Sequence, residues 1–153
     1  MIAVGLPGSG KSTYFRKLGA NAISSDAIRL QLADNEDDQT IHPMVFATAQ
    51  YLLLQRLALQ RPVTYIDATN LSLADRAHWI KIAREHDCEI EAVYFDVPLE
   101  VCQARNAARH RIVPPHVLEA MTLRLVPPTV EEGFTRVEVF GYPPGKPPAA
   151  LAD

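Results

Sequence analysis

The chain is poor in cysteine and has no long apolar run. It holds two cysteines in 153 residues, Cys88 and Cys102, which form neither a disulfide framework nor a metal-binding spacing. No apolar stretch approaches the ~20 residues that a membrane span needs. The apolar segment Met1–Val4 is far shorter than the hydrophobic region of a secretory signal. We therefore expect a cytoplasmic protein that does not associate with a membrane.

An excess of basic charge is also lacking. The chain has 15 Lys and Arg against 18 Asp and Glu, a formal net charge of −3. This balance argues against non-specific coating of nucleic acid, which requires clustered cations, but it leaves room for a local basic pocket. The hydrophobic share of 48% and the charged share of 22% are typical of a globular protein.

The length and the proline distribution predict one domain with a tail. A chain of 153 residues fits a single domain of ordinary size. Four of the twelve prolines lie after residue 140. We predict one domain over residues 1–140 and a proline-rich C-terminal tail over residues 141–153, which lies on the surface or is disordered.

Apolar and β-branched runs alternate with helical patterns along the chain. The runs predict strands at residues 1–4, 22–24, 63–67, 88–96 and 135–140. Between them, helices are predicted at residues 11–19, from 26 onward, and at 43–60, 72–86, 98–109 and 115–124. Five strands separated by helices indicate an α/β domain with a largely parallel sheet.

The stretch GLPGSGKST, residues 5–13, is the most specific motif. It satisfies G-x-x-x-x-G-K-[ST] and lies between a predicted strand and a predicted helix, the context in which this pattern binds the phosphates of a nucleoside triphosphate. The predicted phosphate-binding residues are Gly8, Ser9, Gly10, Lys11, Ser12 and Thr13. Lys11 supplies a positive charge near the β- and γ-phosphates, and the Ser12 hydroxyl is the predicted Mg²⁺ ligand.

Other interpretations of this loop are weaker. A glycine-rich turn can simply begin a helix. The chain contains no N-K-x-D guanine-binding motif and is too short for the added elements of most motors. These features favour a kinase.

A carboxylate follows the second predicted strand. In SSDAIR, Asp26 stands at the mouth of the next helix and Arg29 lies three residues further on the same face. Phosphoryl transfer needs a group that accepts the proton of the acceptor hydroxyl, and a nearby cation can hold an anionic acceptor. Asp26 is therefore the candidate general base; the alternative is that it only caps its helix.

Two further groups are candidates. YIDATN places Asp67 at the end of the third strand, with Thr69 and Asn70 in the following loop; the alternative for Asp67 is an Asx turn that leaves the strand. Arg105, Arg109 and Arg111 lie within seven residues that contain no acid. We predict that residues of about 105–115 form an arginine-bearing lid over the transferred phosphate, unless they are only a solvated basic helix end.

Together these motifs resemble a known family. GLPGSGKST, SSDAIR, DATN with Arg76 and Trp79 after it, and RNAAR followed by VPPHVLEAM are similar to the P-loop kinase module of 5′-hydroxyl polynucleotide kinases. The resemblance covers about residues 1–121. It implies a three-layer α/β/α P-loop fold of the adenylate-kinase type with a five-stranded parallel sheet.

The resemblance also implies an activity: phosphorylation of a 5′-OH end of DNA or RNA by ATP or GTP with Mg²⁺. By this analogy Asp26 is the general base and Arg29 contacts a phosphate of the acceptor strand. Lys11, Arg105 and Arg109 stabilise the transferring phosphoryl group. The predicted substrate-binding residues are Asp26, Arg29, Asp67, Thr69, Asn70 and Arg76, with Arg29 and Arg76 lining an open acceptor tunnel.

The chain departs from many such enzymes because it lacks the D-x-D of a fused phosphatase. We therefore expect a stand-alone end-phosphorylating enzyme or one that lost its repair partner. Two other functions stay open: a P-loop kinase for a small acceptor such as a sugar, nucleotide or antibiotic, and a catalytically silent nucleotide-binding module or toxin-like regulator.

Overall fold

The computed structural model describes residues 1–109 and 112–143. Five strands and six α-helices alternate along this part of the chain, which confirms the predicted α/β class. In chain order they are β1 (Ile2–Val4), α1 (Lys11–Lys17), β2 (Ile23–Ser24), α2 (Ser25–Ala33), α3 (His42–Ala58), β3 (Ile66–Asp67), α4 (Leu73–Glu85), β4 (Glu91–Asp96), α5 (Leu99–Ala107), α6 (Pro115–Arg124) and β5 (Arg136–Gly141). A 3₁₀ turn at Val130–Glu132 was not predicted.

The strands form one five-stranded parallel sheet in the order β2-β3-β1-β4-β5, as predicted. β1 and β4 pair with Ile2 opposite Ala92, and β4 and β5 pair with Glu91 opposite Arg136. All three residues of β1 and the four central residues of β4 are buried, as expected for interior strands of a parallel sheet. β5, at the edge of the sheet, has no buried residue.

The chain divides into two compact units. The first consists of Met1 and Ser12–Ala68, and the second of Ile2–Lys11 with the described residues from Thr69 onward. In the first unit, β2 and β3 pair at Ile23 with Ile66 and at Ser24 with Asp67. Its core includes Phe15, whose ring lies 5.5 Å from that of Tyr65.

The core of the second unit is built from loops and helices that are distant in sequence. Leu6, Leu71, Cys102 and Leu118 form one buried cluster. Because each of these side chains is at most 2% exposed, each lies in a close-packed interior in which the loss of a few methyl groups lowers stability.

The helix ends follow from local hydrogen bonds. Ser72 caps α4: its hydroxyl accepts from the backbone N–H of Asp75, and the Asp75 carboxylate accepts from the Ser72 N–H. This is the predicted capping box. Ser24 caps α2 through Ala27, and α2 ends where Asp34 takes a left-handed backbone conformation.

Some predicted boundaries differ from the structure. The third strand shortens to Ile66–Asp67, and the predicted residue Val63 is 43% exposed. α5 ends at Ala107, not Arg109. β5 includes Gly141, and the Tyr142 N–H donates to the Asp96 carbonyl, so ordered structure extends slightly beyond residue 140. Residues 144–153 of the predicted tail lie outside the described part of the chain.

No helix within the described residues combines the length and the apolar character that a bilayer crossing requires.

Candidate phosphate-binding and acceptor sites

The glycine loop leaves the carboxyl end of β1 and leads into α1. Gly8 and Gly10 have φ values of 84° and 105°, a region that favours glycine. A Cβ at Gly8 would lie 2.6 Å from the carbonyl oxygen of Cys102, whereas one at Gly10 would meet only the Arg105 side chain at 3.9 Å. Close packing under Gly8 and open space at Gly10 suit a loop that curves around an oxyanion.

Lys11 lies over the loop to which it belongs. Its Nζ donates to the carbonyl oxygens of Gly5 at 3.0 Å and Leu6 at 2.7 Å, and the residue is only 8% exposed. The ammonium charge is therefore held at the loop. Ser12 and Thr13, which follow in the first turn of α1, are exposed and therefore accessible to a phosphate or a metal.

Arg105 reaches the loop from α5. Its Nη1 donates to the carbonyl oxygens of Gly8 at 3.2 Å and Ser9 at 3.4 Å. Its guanidinium carbon also lies 5.4 Å from the ring centroid of Tyr142, a cation–π distance. The structure thus brings Arg105 to the phosphate loop, while no spacing in the sequence identified Tyr142.

Two buried polar atoms at this loop have no hydrogen-bond partner among the described residues: Ser9 Oγ and Arg105 Nε. Buried polar groups are nearly always paired, so unpaired donors beside a curved glycine loop fit the phosphates of a nucleoside triphosphate. The residues that would hold such a ligand are those of the loop together with Lys11 and Arg105.

The other predicted lid residues differ in position. The Arg109 side chain is exposed, and its backbone N–H donates to the Asn106 carbonyl. Arg111 lies outside the described residues. Asn106, which sequence reasoning missed, is buried and holds Val113 by two hydrogen bonds, Nδ2 to the carbonyl at 2.7 Å and the Val113 N–H to Oδ1 at 3.0 Å.

The first unit carries a second group. Asp26 and Arg29 lie in α2, just after the carboxyl end of β2, and Nη1 of Arg29 donates to Oδ1 of Asp26 at 3.0 Å. The Asp26 side chain is 41% exposed and that of Arg29 only 7%. Arg29 Nη2 lies 3.2 Å from Nδ1 of His42, the first residue of α3. Asp26 is therefore accessible, whereas Arg29 is an interior cation.

The residues of YIDATN have separate environments. Asp67 is half-buried at the end of β3, where it pairs with Ser24 of β2. The carbonyl of Thr69 accepts from the Gly5 N–H at 3.0 Å. These two residues stay candidates, since each lies at a strand end or against the glycine loop and keeps some exposure.

Asn70 was predicted to bind substrate, but its side chain is used inside the protein. Nδ2 donates to the Ala3 carbonyl at 2.7 Å, and Oδ1 accepts from Nε1 of Trp79 at 3.0 Å. The residue is 5% exposed and has a positive φ of 48°, which asparagine tolerates. Its observed role is to join β1 to α4.

Arg76, which was also predicted to bind substrate, lies in the protein interior. Its side chain is fully buried and pairs with Glu132 through two hydrogen bonds, from Nε at 2.8 Å and from Nη2 at 2.7 Å. Nη1 donates to the carbonyls of Asn70, Leu71 and Val126. With every nitrogen bonded inside the protein, Arg76 does not line an acceptor tunnel.

A signal for this burial was present in the sequence. Arg76 shares a helical face with Trp79, Ile80 and Ala83, at spacings of three, four and seven residues, and all of them are buried. The partner Glu132 had no such signal.

Burial raises the pKa of two groups in the second unit. Burial raises the pKa of the Cys102 thiol to about 11, although the Lys11 and Arg105 charges act to lower it. Burial, followed by the Asp96 carboxylate that accepts its hydroxyl at 3.3 Å, raises the pKa of Tyr94 to about 12. Cys102 is therefore a neutral thiol beneath the glycine loop and not a reactive nucleophile.

Comparison with known proteins agrees with this architecture. The family model AAA_33, described as an AAA domain, matches residues 1–128. A bifunctional polynucleotide phosphatase/kinase of Schizosaccharomyces pombe is 26% identical over 147 residues, which cover 90% of this chain and 32% of that protein. The human L-seryl-tRNA(Sec) kinase is 26% identical over 98 residues, 63% of this chain and 28% of that protein.

Among solved structures, the Pnkp1/Rnl/Hen1 RNA repair complex contains a chain that superposes with a TM-score of 0.69 at 26% identity, covering 81% of this chain and 42% of that one. This chain thus spans less than half the length of each of these three relatives. The first is named for polynucleotides and the second for a seryl-tRNA, so the two names indicate different acceptors.

Proposed function

Because the chain belongs to the AAA_33 family and is a P-loop kinase domain, we propose that it transfers the γ-phosphate of ATP or GTP to the 5′-hydroxyl end of DNA or RNA. The names of the S. pombe protein and the RNA repair complex support a nucleic-acid acceptor. The observation that carries the proposal is the accessible Asp26 carboxylate held by a buried arginine immediately after β2.

The donor half of the reaction belongs to the glycine loop. A bound nucleotide would supply the γ-phosphoryl group, and a Mg²⁺ ion held by the Ser12 hydroxyl would neutralise part of its charge. The backbone N–H groups of Gly8 and of residues 10–13 bind the phosphates; the Ser9 N–H donates to the Leu6 carbonyl at 3.1 Å. Lys11 and Arg105 stabilise the negative charge that develops during transfer, because both cations are held at the loop. Arg109 is the further cation proposed for this task.

The acceptor half belongs to Asp26. Its carboxylate accepts the proton of the attacking hydroxyl as the new P–O bond forms and the bond from the γ-phosphorus to the bridging oxygen breaks. Ligands of open parallel sheets bind beyond the carboxyl ends of the strands. Asp26 follows the end of β2, and Asp67 is the last residue of β3. Asp67 and Thr69 are the proposed supports of the acceptor.

The test is transfer of labelled γ-phosphate from ATP, and separately from GTP, to short 5′-OH DNA and RNA oligonucleotides with Mg²⁺. We expect Asp26→Ala to abolish transfer and to leave triphosphate affinity unchanged, because the base is not part of the phosphate loop. Glu89→Ala, at an exposed acid, is the matched control. Loss of nucleotide affinity in Asp26→Ala would contradict the role proposed for it.

A second candidate is supported by the buried arginines. Arg29 and Arg76, the cations expected to line an open acceptor tunnel, are 6% and 0% exposed. A site without them suits a small hydroxyl acceptor better than a long polyanion. Retained ATP binding without transfer to either oligonucleotide would favour this second function, and a screen of sugars, nucleosides and aminoglycosides would then identify the acceptor. Failure of every acceptor would leave a silent nucleotide-binding module.

A further inference from the structure

We infer that His42 is a positioning residue for the general base, acting on Asp26 through Arg29, and that it does so only as a neutral imidazole. The inference rests on the proposed function, since it assigns a role around the base of that reaction.

Arg29 is held from two sides. Its Nη1 donates to Oδ1 of Asp26 at 3.0 Å, and its Nη2 lies 3.2 Å from Nδ1 of His42. Asp26 and Arg29 belong to α2, whereas His42 begins α3. The guanidinium therefore joins two helices, and the orientation of the Asp26 carboxylate depends on both contacts.

The chemistry of the two groups fixes the direction of the second hydrogen bond. A guanidinium has only N–H donors and stays protonated in proteins. Nδ1 of His42 must therefore be the acceptor, which places the imidazole proton on Nε2. A protonated His42 would carry N–H groups on both nitrogens, so it could not accept from Arg29 and would add a second positive charge beside it.

Arg29 has little else to hold it. Its side chain is 7% exposed, and its Nε has no hydrogen-bond partner among the described residues. A buried cation is costly unless its donors are paired. Without the His42 contact, the guanidinium would keep its hydrogen bond to Asp26 but could rotate. That rotation would reorient the Asp26 carboxylate.

Two substitutions separate the acceptor atom from the ring. Asparagine at position 42 can place its carbonyl oxygen near the position of Nδ1, whereas phenylalanine keeps a ring without an acceptor. For transfer to a 5′-OH oligonucleotide we expect His42→Phe to lower kcat by up to about 100-fold, as expected for a misplaced catalytic group, with donor KM unchanged. His42→Asn should retain most of the wild-type kcat, and so should the control His86→Asn, at an exposed histidine.

Two readouts separate this role from a merely structural one: the recovery of kcat in His42→Asn, and a fall in kcat without a change in donor KM in His42→Phe. Equal kcat values for the phenylalanine and asparagine variants would overturn the inference.

Nitrogen-15 NMR of the imidazoles tests the hydrogen bond without an activity assay. We expect the Nε2–H tautomer for His42 at neutral pH, with an Nδ1 shift that changes in Arg29→Met. An Nδ1–H tautomer would overturn the inference whether or not the enzyme is active. Absence of transfer by the wild type, with the expected tautomer present, would instead contradict the polynucleotide kinase proposal and leave the His42–Arg29 contact established.

Discussion

The Arg76 guanidinium donates hydrogen bonds to both carboxylate oxygens of Glu132, with N–O distances of 2.8 and 2.7 Å. These residues are 56 positions apart, and Arg76 is fully buried. The pair connects α4 to the 3₁₀ turn before β5. Removing one partner of a buried ion pair destabilises a protein more than replacing both partners with apolar residues, because the remaining charge is buried without a counter-ion.

Glu132→Ala should therefore destabilise the fold by about 3–5 kcal/mol, because it leaves the Arg76 charge buried without its counter-ion. Lys81→Met is the matched control: Lys81 makes a 3.7 Å pair with Glu85 on the surface of the same helix, and its loss should change stability by less than about 1 kcal/mol. Urea unfolding followed by circular dichroism measures both. Equal losses of stability in the two variants would show that the buried pair stabilises the fold no more than the surface pair does.

Arg105→Ala should lower kcat by about 100-fold, the usual effect of removing one group that stabilises transition-state charge. Arg105→Lys should restore only part of the rate, because a compact ammonium lacks the planar guanidinium that lies over the Tyr142 ring while it donates to the Gly8 and Ser9 carbonyls. Gln103→Ala on the same helix is the control. Steady-state kinetics with ATP measure the effect, and a wild-type kcat in Arg105→Ala would refute a role in transfer.

Gly8→Ala should abolish triphosphate binding. Its φ of 84° disfavours any side chain, and the new Cβ would lie 2.6 Å from the Cys102 carbonyl, so the loop must move away from α5. Gly19→Ala is the control. Gly19 also has a positive φ, of 64°, but a Cβ at this position would have no atom within 4 Å. This variant should cost about 1 kcal/mol of stability and keep binding. Calorimetric titration with ATP distinguishes the two, and intact affinity in Gly8→Ala would contradict the packing argument.

The two thiols should react at different rates. Cys88 is exposed and Cys102 is buried, and burial raises the pKa of Cys102 to about 11. Iodoacetamide should modify Cys88 rapidly at pH 8 and Cys102 only after unfolding, because the thiolate is the reactive form. Mass spectrometry with and without urea, with Cys88→Ser as control, measures this. Rapid modification of Cys102 in the native protein would be the contrary result.

The raised pKa of Cys102 also predicts that the protein loses stability at alkaline pH. A thiol with a raised pKa holds its proton more tightly in the folded state, so the unfolded chain ionises first as pH rises above the ordinary value of 9.0. Stability from this group is present below pH 9 and falls between pH 9 and about 11. In Cys102→Ala this part of the pH dependence should be absent, as measured by urea midpoints from pH 8 to 10.5.

Much of the fold was predictable because it depends on short-range patterns. The capping box at Ser72 and Asp75 involves residues three apart, and α6 begins and ends where predicted, at Pro115 and Arg124. β4 was predicted from the apolar pattern of residues 88–96, and four consecutive residues of the observed strand are buried. The third strand was overestimated: β-branched and aromatic composition predicted strand from Val63, but only Ile66–Asp67 pair in the sheet.

The candidate site was less predictable, because the sequence identifies residue types but not their burial. Arg29, Arg76 and Asn70 have the polar chemistry expected of substrate-binding residues, yet all three are at most 6% exposed. Asn70 and Arg76 pair with buried groups of the second unit, and Arg29 pairs with Asp26 and His42 in the first. Asp26 and Arg105 keep positions that suit the predicted chemistry.

The sequence by itself determined the phosphate loop. Its glycines, lysine and serine act through their own backbone and side chains over nine consecutive residues, 5–13, so their chemistry needs no distant partner. Only the tertiary structure decided where the arginines lie. Arg105 contacts that loop, Arg76 pairs with Glu132, and Arg29 lies between Asp26 and His42. The contact of Arg105 with Gly8 spans 97 positions, and contacts of that range depend on how the whole chain packs, which no local pattern encodes.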